Sequence, residues 1–334
     1  MTKQKSKRSP ARVLLRIVLA LLALILLAAV VFWAIPLTER DDGVTASGAA
    51  DWMNNVDGSL TLSELAIPGT HDSATQYVQL GFFSKCQAKD IRGQLDAGFR
   101  YLDIRLGADG DRLKLMHGFT SCKTGPMPWS PSLYLDDVLE QCYAFLKDHP
   151  SETILFAVKQ EHGSERVGQF QALLNGYLEQ ARDMWLLTDT MPTLDEARGK
   201  LVLLRRYMDE GSFGLESGLP LVWEDQGGHD NFALNTVSHD NGSYTLWVQD
   251  RFEYDAAHKW TAFLGGIRTA PGTSEECYLN FLSTKGTAAY GHPYAYARTL
   301  NAQLMDLPLT QGAGWIIVDF GTAHIASHIY STNF

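Results

Sequence analysis

Ionisable residues stand at the ends of short apolar segments throughout the chain, and their types suit the cleavage of a phosphodiester bond. Two histidines can take a proton from an attacking oxygen and give one to a leaving group near neutral pH. A guanidinium group matches the charge and the geometry of phosphate oxygens. We therefore interpret His71 and His117 as an acid–base pair and Arg105 as a phosphate clamp. We interpret the remaining histidines as structural: His149, His162, His229, His239, His258, His292, His324 and His328.

Eight β-rich apolar segments could position these residues. They are 65–67, 101–106, 113–116, 153–158, 201–204, 245–248, 278–282 and 315–318, with helix-like stretches such as 133–148 and 166–182 between many of them. This alternation predicts an α/β fold, an irregular (β/α)8 TIM-type barrel. Only Gly107–Arg112 separates the second and third segments, which is too short for a crossover helix, so we expect the irregularity there.

Polar residues close most of these segments, and a barrel would bring them together. The carboxyl ends of barrel strands face one mouth, where active sites are built. We expect this convergence rather than ordinary turn chemistry, because charged residues directly follow strongly apolar runs such as Trp315–Val318. The residues concerned are Asp72, Asp103, Lys159, Glu161, Arg206, Asp250, Asn280 and Asp319.

The N-terminus carries an uninterrupted apolar segment, Ile17–Ile35, with Trp33 near its end. Its 19 residues would span about 28 Å as a helix, close to the thickness of a bilayer core. Six basic residues precede it, which predicts a cytoplasmic N-terminus and an exported body. We expect a basic tail over 1–16, a transmembrane anchor or uncleaved signal over 17–36, a linker over 37–51 and a catalytic barrel over 52–334. A cleaved signal peptide, which would give a secreted protein, is the alternative.

The charge of the body excludes one class of partner. After residue 37 the chain has 22 basic and 38 acidic residues, a net charge of −16. Such a surface lacks the basic footprint of a nucleic-acid-binding protein.

All four cysteines lie in the part of the chain expected to be exported: Cys86, Cys122, Cys142 and Cys277. An even count there permits disulfides, and buried free thiols are the alternative. Their spacing fits no structural zinc site. We expect a monomer.

Several motifs of the chain, in order, resemble the X region of bacterial phosphatidylinositol-specific phospholipase C. They are Leu65–Ser73, Gly98–Arg105 and Met116–Gly118, followed by Pro150–Ile154, Lys200–Tyr207, Val248–Asp250, Asn280–Phe281 with Gly286–Ala288, and Gly314–Asp319. Any one of these motifs is weak evidence, but the ordered set is specific. The similarity covers about residues 52 to 325.

The resemblance implies an irregular (β/α)8 barrel and a reaction without a metal or other cofactor. The inositol 2-hydroxyl would attack the lipid phosphorus, releasing diacylglycerol and leaving inositol 1,2-cyclic phosphate. By matching position, His71 would be the general base with Asp319 as its partner. His117 would be the general acid, assisted by Asp72, and Arg105 would hold the phosphate.

The same resemblance assigns recognition of the inositol head group. Lys159, Arg206 and Asp250 match positions that contact inositol hydroxyls, and Phe252 stands where the family has an aromatic residue. The phenol hydroxyl that Phe252 lacks could come from Tyr254. The aromatic segment Ala289–Tyr296, together with Phe82, Phe83 and Trp129, could meet a membrane surface, although Pro293 also suits an ordinary helix start.

Arg105 also bears on whether the reaction needs a metal and on the alternative functions. Calcium-dependent relatives need acidic ligands near this point, whereas an arginine supplies a fixed positive charge. Asp103 would lie on the same side of its strand and would orient Arg105. The alternative functions are a metal-dependent phosphodiesterase acting on another phospholipid or a glycerophosphodiester, and a non-catalytic module that binds lipid head groups.

Overall fold

The computed structural model describes residues 9–40, 43–44, 46–161, 168–207, 218–227, 237–268, 272–289 and 291–334. His162, His229, Tyr290 and the basic residues Lys3, Lys5, Lys7 and Arg8 lie outside the described residues. The α-helices are α1 (Pro10–Thr38), α2 (Gly81–Ser84), α3 (Ile91–Asp96), α4 (Leu135–Asp148), α5 (Gln169–Gln180), α6 (Leu194–Ala197), α7 (Ala256–Gly266), α8 (Pro293–Asp306) and α9 (Ala323–Tyr330).

The strands alternate with these helices over most of the chain. They are β1 (Ile67–Thr70), β2 (Tyr101–Asp109), β3 (Arg112–His117), β4 (Thr120–Ser121), β5 (Ile154–Gln160), β6 (Trp185–Leu186), β7 (Leu201–Arg206), β8 (Leu219–Pro220), β9 (Val237–Asp240), β10 (Thr245–Gln249), β11 (Glu276–Phe281) and β12 (Trp315–Val318).

Eight of the strands form an irregular parallel barrel. Their order is β8-β7-β5-β2-β1-β12-β11-β10, and each neighbouring pair is parallel. Among the described residues no backbone ladder joins β8 to β10. Side chains bridge this gap instead: the Tyr244 hydroxyl donates to the Pro220 carbonyl, and the Val222 amide donates to Asn241 Oδ1 at 3.2 Å. The predicted barrel is therefore present, with one seam that lacks strand pairing.

The prediction of the third barrel strand is wrong. Segment 113–116 lies in β3, which pairs antiparallel with the end of β2 through Gly107↔Lys114 and Ala108↔Leu113. A connection this short can form only a hairpin, because a crossover between parallel strands needs a dozen or more residues. The eighth parallel strand is instead β8, which has two residues and lies in the short apolar run Leu219–Trp223, a run that is not among the predicted segments.

Alternation along each strand separates the interior of the barrel from its helical cover. In β5, Leu155 and Ala157 belong to the inner apolar cluster, whereas Phe156 and Val158 pack in the outer cluster beneath α4 and α5. Successive strand side chains point to opposite faces, so this register fixes which side chains can reach the interior. Charged residues at the inward positions near the strand ends therefore face the mouth of the barrel.

The N-terminal helix is longer than the apolar segment, since α1 begins at Pro10 and ends at Thr38. By length and composition it could cross a membrane, and its most apolar part is not buried against the body. Beyond it, Glu39 is buried and a 3-10 helix begins at Ala49, so parts of the expected linker pack against the barrel.

The four cysteines are free thiols, and all are buried. Burial raises the pKa of the Cys142 and Cys277 thiols, which keeps them protonated at neutral pH. Of the two interpretations that the sequence left open, the buried-thiol one describes this structure.

A buried ion pair ties the amino end of the barrel domain to its sheet. The guanidinium of Arg100, fully buried, donates to Glu152 Oε2 from Nε at 2.9 Å and from Nη2 at 2.8 Å. Arg100 also donates to the Leu95 and Phe99 carbonyls, and Glu152 accepts from the Met53 amide at 3.1 Å. A buried charge with several partners is destabilising once one partner is removed.

We therefore expect Glu152→Gln to lower the free energy of unfolding by about 3–5 kcal/mol, because it leaves the Arg100 cation without its counter-charge. The matched control is Asp148→Asn, which breaks the exposed Arg92–Asp148 pair and should cost about 1 kcal/mol or less. Urea unfolding of the full chain in detergent measures both. Equal effects of the two substitutions would contradict a structural role for the buried pair.

Candidate active site

The strand ends meet at one cavity of about 580 Å³. Of the nine residues that the sequence suggests for the site, eight line it and Asp72 lies buried beneath it. The eight are His71, Arg105, His117, Lys159, Arg206, Asp250, Phe252 and Asp319. Among the histidines that the structure describes, only His71 and His117 line this cavity.

Arg105 lies at the centre of the site and is held by three carboxylates. Its Nε and Nη2 donate to Asp103 Oδ2 at 3.1 and 3.0 Å, and its Nε lies 3.2 Å from Asp72 Oδ1. Glu161 Oε1 is 3.5 Å from Nη1. Burial opposes the charge, but Asp103, Asp72 and Glu161 outweigh it and raise the pKa of Arg105 well above its usual value. The expected orientation of Arg105 by Asp103 is confirmed.

His71 follows β1 and is fixed through both ring nitrogens. Nδ1 lies 2.8 Å from Asp319 Oδ1, and Nε2 lies 2.8 Å from Arg105 Nη2. A guanidinium group has only donors, so the second contact requires an unprotonated Nε2 and leaves the ring proton on Nδ1, facing Asp319. The His71 carbonyl accepts a further bond from Gln87 Nε2 at 2.8 Å. His71 is thus held in the tautomer that a general base needs.

His117 ends β3 and faces His71 across the site, with ring centroids 6.2 Å apart. Its Nδ1 lies 3.3 Å from Asp72 Oδ2 and 3.8 Å from Cys86 Sγ. The same Asp72 oxygen is 3.2 Å from His71 Nε2. Asp72 adopts a left-handed backbone with φ of 42°, a conformation that is uncommon outside glycine and is often found at functional sites. One buried carboxylate therefore lies between both imidazoles.

The surroundings move the pKa values of the two histidines in opposite directions. Burial disfavours the imidazolium of His71, but the carboxylates of Asp319 and Asp72 outweigh burial and raise its pKa. For His117 burial also lowers the pKa, and Asp72 offsets this only in part because Arg105 and His71 add positive charge. Such divergence between neighbouring groups is typical of acid–base sites.

Three cations lie side by side across neighbouring strands. Arg105 on β2 is in register with Lys159 on β5, which is in register with Arg206 on β7. The charge of Arg105 and burial lower the pKa of Lys159. Glu161 lies close to two of these cations, with its carboxylate 2.9 Å from Lys159 Nζ and 3.5 Å from Arg105 Nη1. The charges of Arg105 and Lys159 lower the pKa of Glu161 to about 2 despite its burial.

A second group of side chains lines the opposite wall of the cavity. Arg206 Nη1 donates to Asp103 Oδ1 at 3.0 Å, and its guanidinium stacks 3.9 Å from the centroid of the Trp223 ring. Trp223 Nε1 donates to Asp250 Oδ2 at 3.3 Å. These contacts order Arg206 and Asp250 while leaving both on the cavity surface.

The aromatic residues suggested from the sequence do not all reach the cavity. Phe252 lines the cavity, but Tyr254 is fully buried and does not, so Tyr254 is wrong as a source of a phenol hydroxyl. α8 begins at Pro293, which confirms the helix-start interpretation of that segment. Phe83 is partly exposed and Trp129 is 81% exposed.

Metal-ligand atoms also cluster at this site. Three groups of donor atoms lie within 4.8 Å of one another: His71, Cys86 and Asp319; Asp72, Cys86 and His117; and His71, Asp72 and Asp103. Calcium takes six to eight oxygen ligands. The oxygens of Asp72 and Asp103 instead face Arg105, whose guanidinium fills the position of a cation between them. The donor set therefore suits a fixed organic cation better than a calcium ion.

Sequence reasoning missed Trp223, Gln87 and Cys86. Trp223 follows β8 and comes to the cavity only through the fold, and no motif in its neighbourhood marks it. Gln87 donates to two backbone carbonyls, those of His71 and Val318, and so joins the ends of two strands. Cys86 precedes it, and its position beside His117 is likewise a tertiary feature.

The fold and the cavity define a parallel α/β barrel with two facing histidines and a buried arginine at its mouth. Residues 60–207 match the family described as phosphatidylinositol-specific phospholipase C, X domain. The 1-phosphatidylinositol phosphodiesterase of Staphylococcus aureus strain Newman is 28% identical over 309 residues, which cover 85% of this chain and 94% of that protein. The enzyme of the same name from Listeria monocytogenes is also 28% identical, with 84% of each chain covered.

Solved structures agree with these sequence matches. A phosphatidylinositol-specific phospholipase C from S. aureus superposes with a TM-score of 0.72 at 26% identity, covering 86% of this chain and 98% of that one. Residues 60–207 are thus similar to that X domain, and the barrel as a whole is similar in sequence and fold to bacterial phosphatidylinositol-specific phospholipase C.

Proposed function

We propose that this protein cleaves phosphatidylinositol-type lipids into diacylglycerol and inositol 1,2-cyclic phosphate by histidine acid–base catalysis. The observation that carries the proposal is Arg105 beside two facing imidazoles, with Nη2 2.8 Å from His71 Nε2 and the ring centroids of His71 and His117 6.2 Å apart. The X-domain match over residues 60–207 and relatives named 1-phosphatidylinositol phosphodiesterase support the substrate class.

The reaction is an internal displacement at phosphorus. The inositol 2-hydroxyl oxygen attacks, its proton passes to His71 Nε2, and the bond from phosphorus to the diacylglycerol oxygen breaks. His117 gives a proton to that oxygen from Nε2, because its Nδ1 faces Asp72. Arg105 pairs with the non-bridging oxygens, where a fixed cation stabilises charge in the transition state without reorganisation. One proton enters His71 and one leaves His117, so the charge of the site is conserved.

The ionisation of the two histidines depends on the substrate. The reaction needs a neutral His71 and a protonated His117, while in the structure the pKa of His71 is raised and that of His117 is lowered. A phosphodiester anion at Arg105 brings negative charge beside His117 and raises its pKa. Substrate binding thereby favours the protonated form of His117 that the general acid needs.

Head-group recognition falls to the wall opposite the histidines. Lys159, Arg206 and Asp250 present charged donors and acceptors to the inositol hydroxyls, and the Phe252 ring offers a face for stacking. A site built to bond several hydroxyls discriminates strongly against a head group that lacks them, because its buried polar groups would then stay unpaired.

The N-terminal helix supports a membrane location. We propose that α1 spans the membrane, with the cytoplasmic end at its basic residues and the barrel outside, where phospholipid is at hand. Arg12 and Arg16 stand near the beginning of this helix, and Trp33 stands near its end. The chain acts as a monomer in this proposal.

The product assay tests the reaction type and its metal independence together. The full chain in detergent, incubated with phosphatidylinositol micelles and EDTA throughout, should release inositol 1,2-cyclic phosphate, because Arg105 supplies the positive charge. Activity that vanishes with EDTA and returns with calcium would favour the metal-dependent phosphodiesterase. Product from another phospholipid alone would change the substrate class, and binding of phosphatidylinositol vesicles without product would favour the head-group-binding module.

The pH dependence of kcat/KM tests the pairing of His71 with Asp319. Asp319 stabilises protonated His71 and thereby raises its pKa, whereas burial lowers the pKa of His117. Because the base then has a higher pKa than the acid, the basic limb of the profile follows the pKa of His71 and the acidic limb follows that of His117. Asp319→Asn should therefore move the basic limb to lower pH and reduce turnover. Asp255→Asn, which alters the exposed His258 pair, should leave the profile in place. A basic limb that stays in place in Asp319→Asn would contradict the pairing.

A further inference from the structure

The last turns of α1 pack directly on the barrel domain beside its mouth. Trp33 Nε1 donates to the Pro126 carbonyl at 3.0 Å. The Phe32 ring meets the Phe82 ring edge-on at 5.0 Å and stacks with Phe83 at 6.0 Å. The helix therefore contacts two separate parts of the barrel domain, α2 and the loop that follows β4.

A buried polar clamp fixes the chain just after this contact. Lys85 Nζ donates to the Pro36 and Glu39 carbonyls at 2.6 and 2.9 Å. Glu39 Oε1 lies 3.1 Å from Nε2 of His292, and the Nδ1 atom of that ring bonds to the Phe82 carbonyl at 2.8 Å. Lys85 is 5% exposed and Glu39 is 4% exposed. The residues that leave α1 are thus held in place at the barrel surface.

A groove of about 720 Å³ lies between the helix and the barrel domain. Five residues of α1 form one wall of the groove: Ala29, Phe32, Trp33, Pro36 and Leu37. The other wall, which we call the rim, comprises the groove-lining residues within 76–83 and 119–128. Phe83 also lines the active-site cavity, so the groove and that cavity adjoin. Exposed apolar side chains continue along the rim, with Leu80 59% and Phe119 66% exposed.

The position of the groove relative to a bilayer follows from the helix. In α1 the apolar segment Ile17–Ile35 follows Arg16 and contains Trp33 near its end, and it rises about 28 Å, close to the ~30 Å hydrocarbon thickness. A basic residue at the inner boundary and a tryptophan at the outer boundary are the usual interfacial anchors. The groove wall at Ala29 and Phe32 then lies where the acyl chains of the outer leaflet begin.

We propose that this groove binds an acyl chain of the substrate lipid, so that the anchor helix forms part of the substrate-binding site. Its walls are largely apolar, one wall belongs to the membrane-spanning helix, and one end meets the cavity that holds the histidines. The inference rests on the proposed function. The docked helix places the mouth at the membrane that carries the anchor, and a lipid that diffuses along α1 presents its phosphate past Phe83 to Arg105.

Two neighbouring alanines of α1 give a matched test. Ala29 lines the groove, whereas Ala28 does not, and both are exposed. The full chain is reconstituted into vesicles of long-chain phosphatidylinositol, and glycerophosphoinositol, which has the same scissile bond and no acyl chain, serves as a second substrate. Ala29→Trp should fill the groove and lower the rate on phosphatidylinositol by about tenfold, the effect of losing roughly two buried methylene groups. Its rate on glycerophosphoinositol should be unchanged, and Ala28→Trp should leave both rates unchanged.

The other outcomes distinguish a failure of the groove proposal from a failure of the proposed function. Equal rates of Ala29→Trp and Ala28→Trp on phosphatidylinositol would overturn the groove proposal while leaving the proposed function standing. A wild-type chain inactive on both substrates would instead overturn the proposed function. If Ala29→Trp loses both activities, Ala29→Leu replaces it: a smaller loss confined to phosphatidylinositol supports the groove, and rates equal to those of Ala28→Leu contradict it.

Discussion

The site depends on one buried cation and the carboxylates that hold it. Arg105 is taken out of water at the barrel mouth, and Asp103, Asp72 and Glu161 compensate the cost of burying its charge. The same carboxylates fix other parts of the site. Asp72 lies between both imidazoles, Asp103 also accepts from Arg206, and Glu161 also holds Lys159. A change at any of these acids therefore alters the position or the charge of several groups at once.

The irregularity of the barrel has a direct consequence for this site. A regular barrel would follow β2 with a helix, whereas this chain turns back as β3 and ends that hairpin at His117. The hairpin brings the second imidazole over the mouth, opposite the first one, which follows β1. The cations come from a regular feature instead, since Arg105, Lys159 and Arg206 occupy register-paired inward positions on three parallel strands.

Much of this arrangement could be predicted from the sequence because it depends on local pattern. Apolar segments that end in polar or charged residues identified seven of the eight parallel strands and the convergence of His71, Arg105 and Asp319 at one mouth. Strand alternation placed Asp103 beside Arg105. Features that depend on tertiary placement could not be predicted. Strand β8 has only two residues and so shows no periodicity, and Trp223 follows it without a motif. Tyr254 is buried, although its spacing suggested that it would reach the cavity. The docking of α1 also needs contacts more than 45 residues apart, such as that from Lys85 to Pro36.

The most direct test of this account is the turnover of Arg105→Lys on phosphatidylinositol with EDTA present. Lysine keeps the charge but cannot form the fork that pairs with two oxygens, nor reach all three carboxylates at once. We expect a loss of at least about 100-fold in kcat, comparable to removing a preorganised donor from a transition state, and no recovery when calcium replaces EDTA. Near-normal turnover of Arg105→Lys, or its restoration by calcium, would contradict the central role of the arginine.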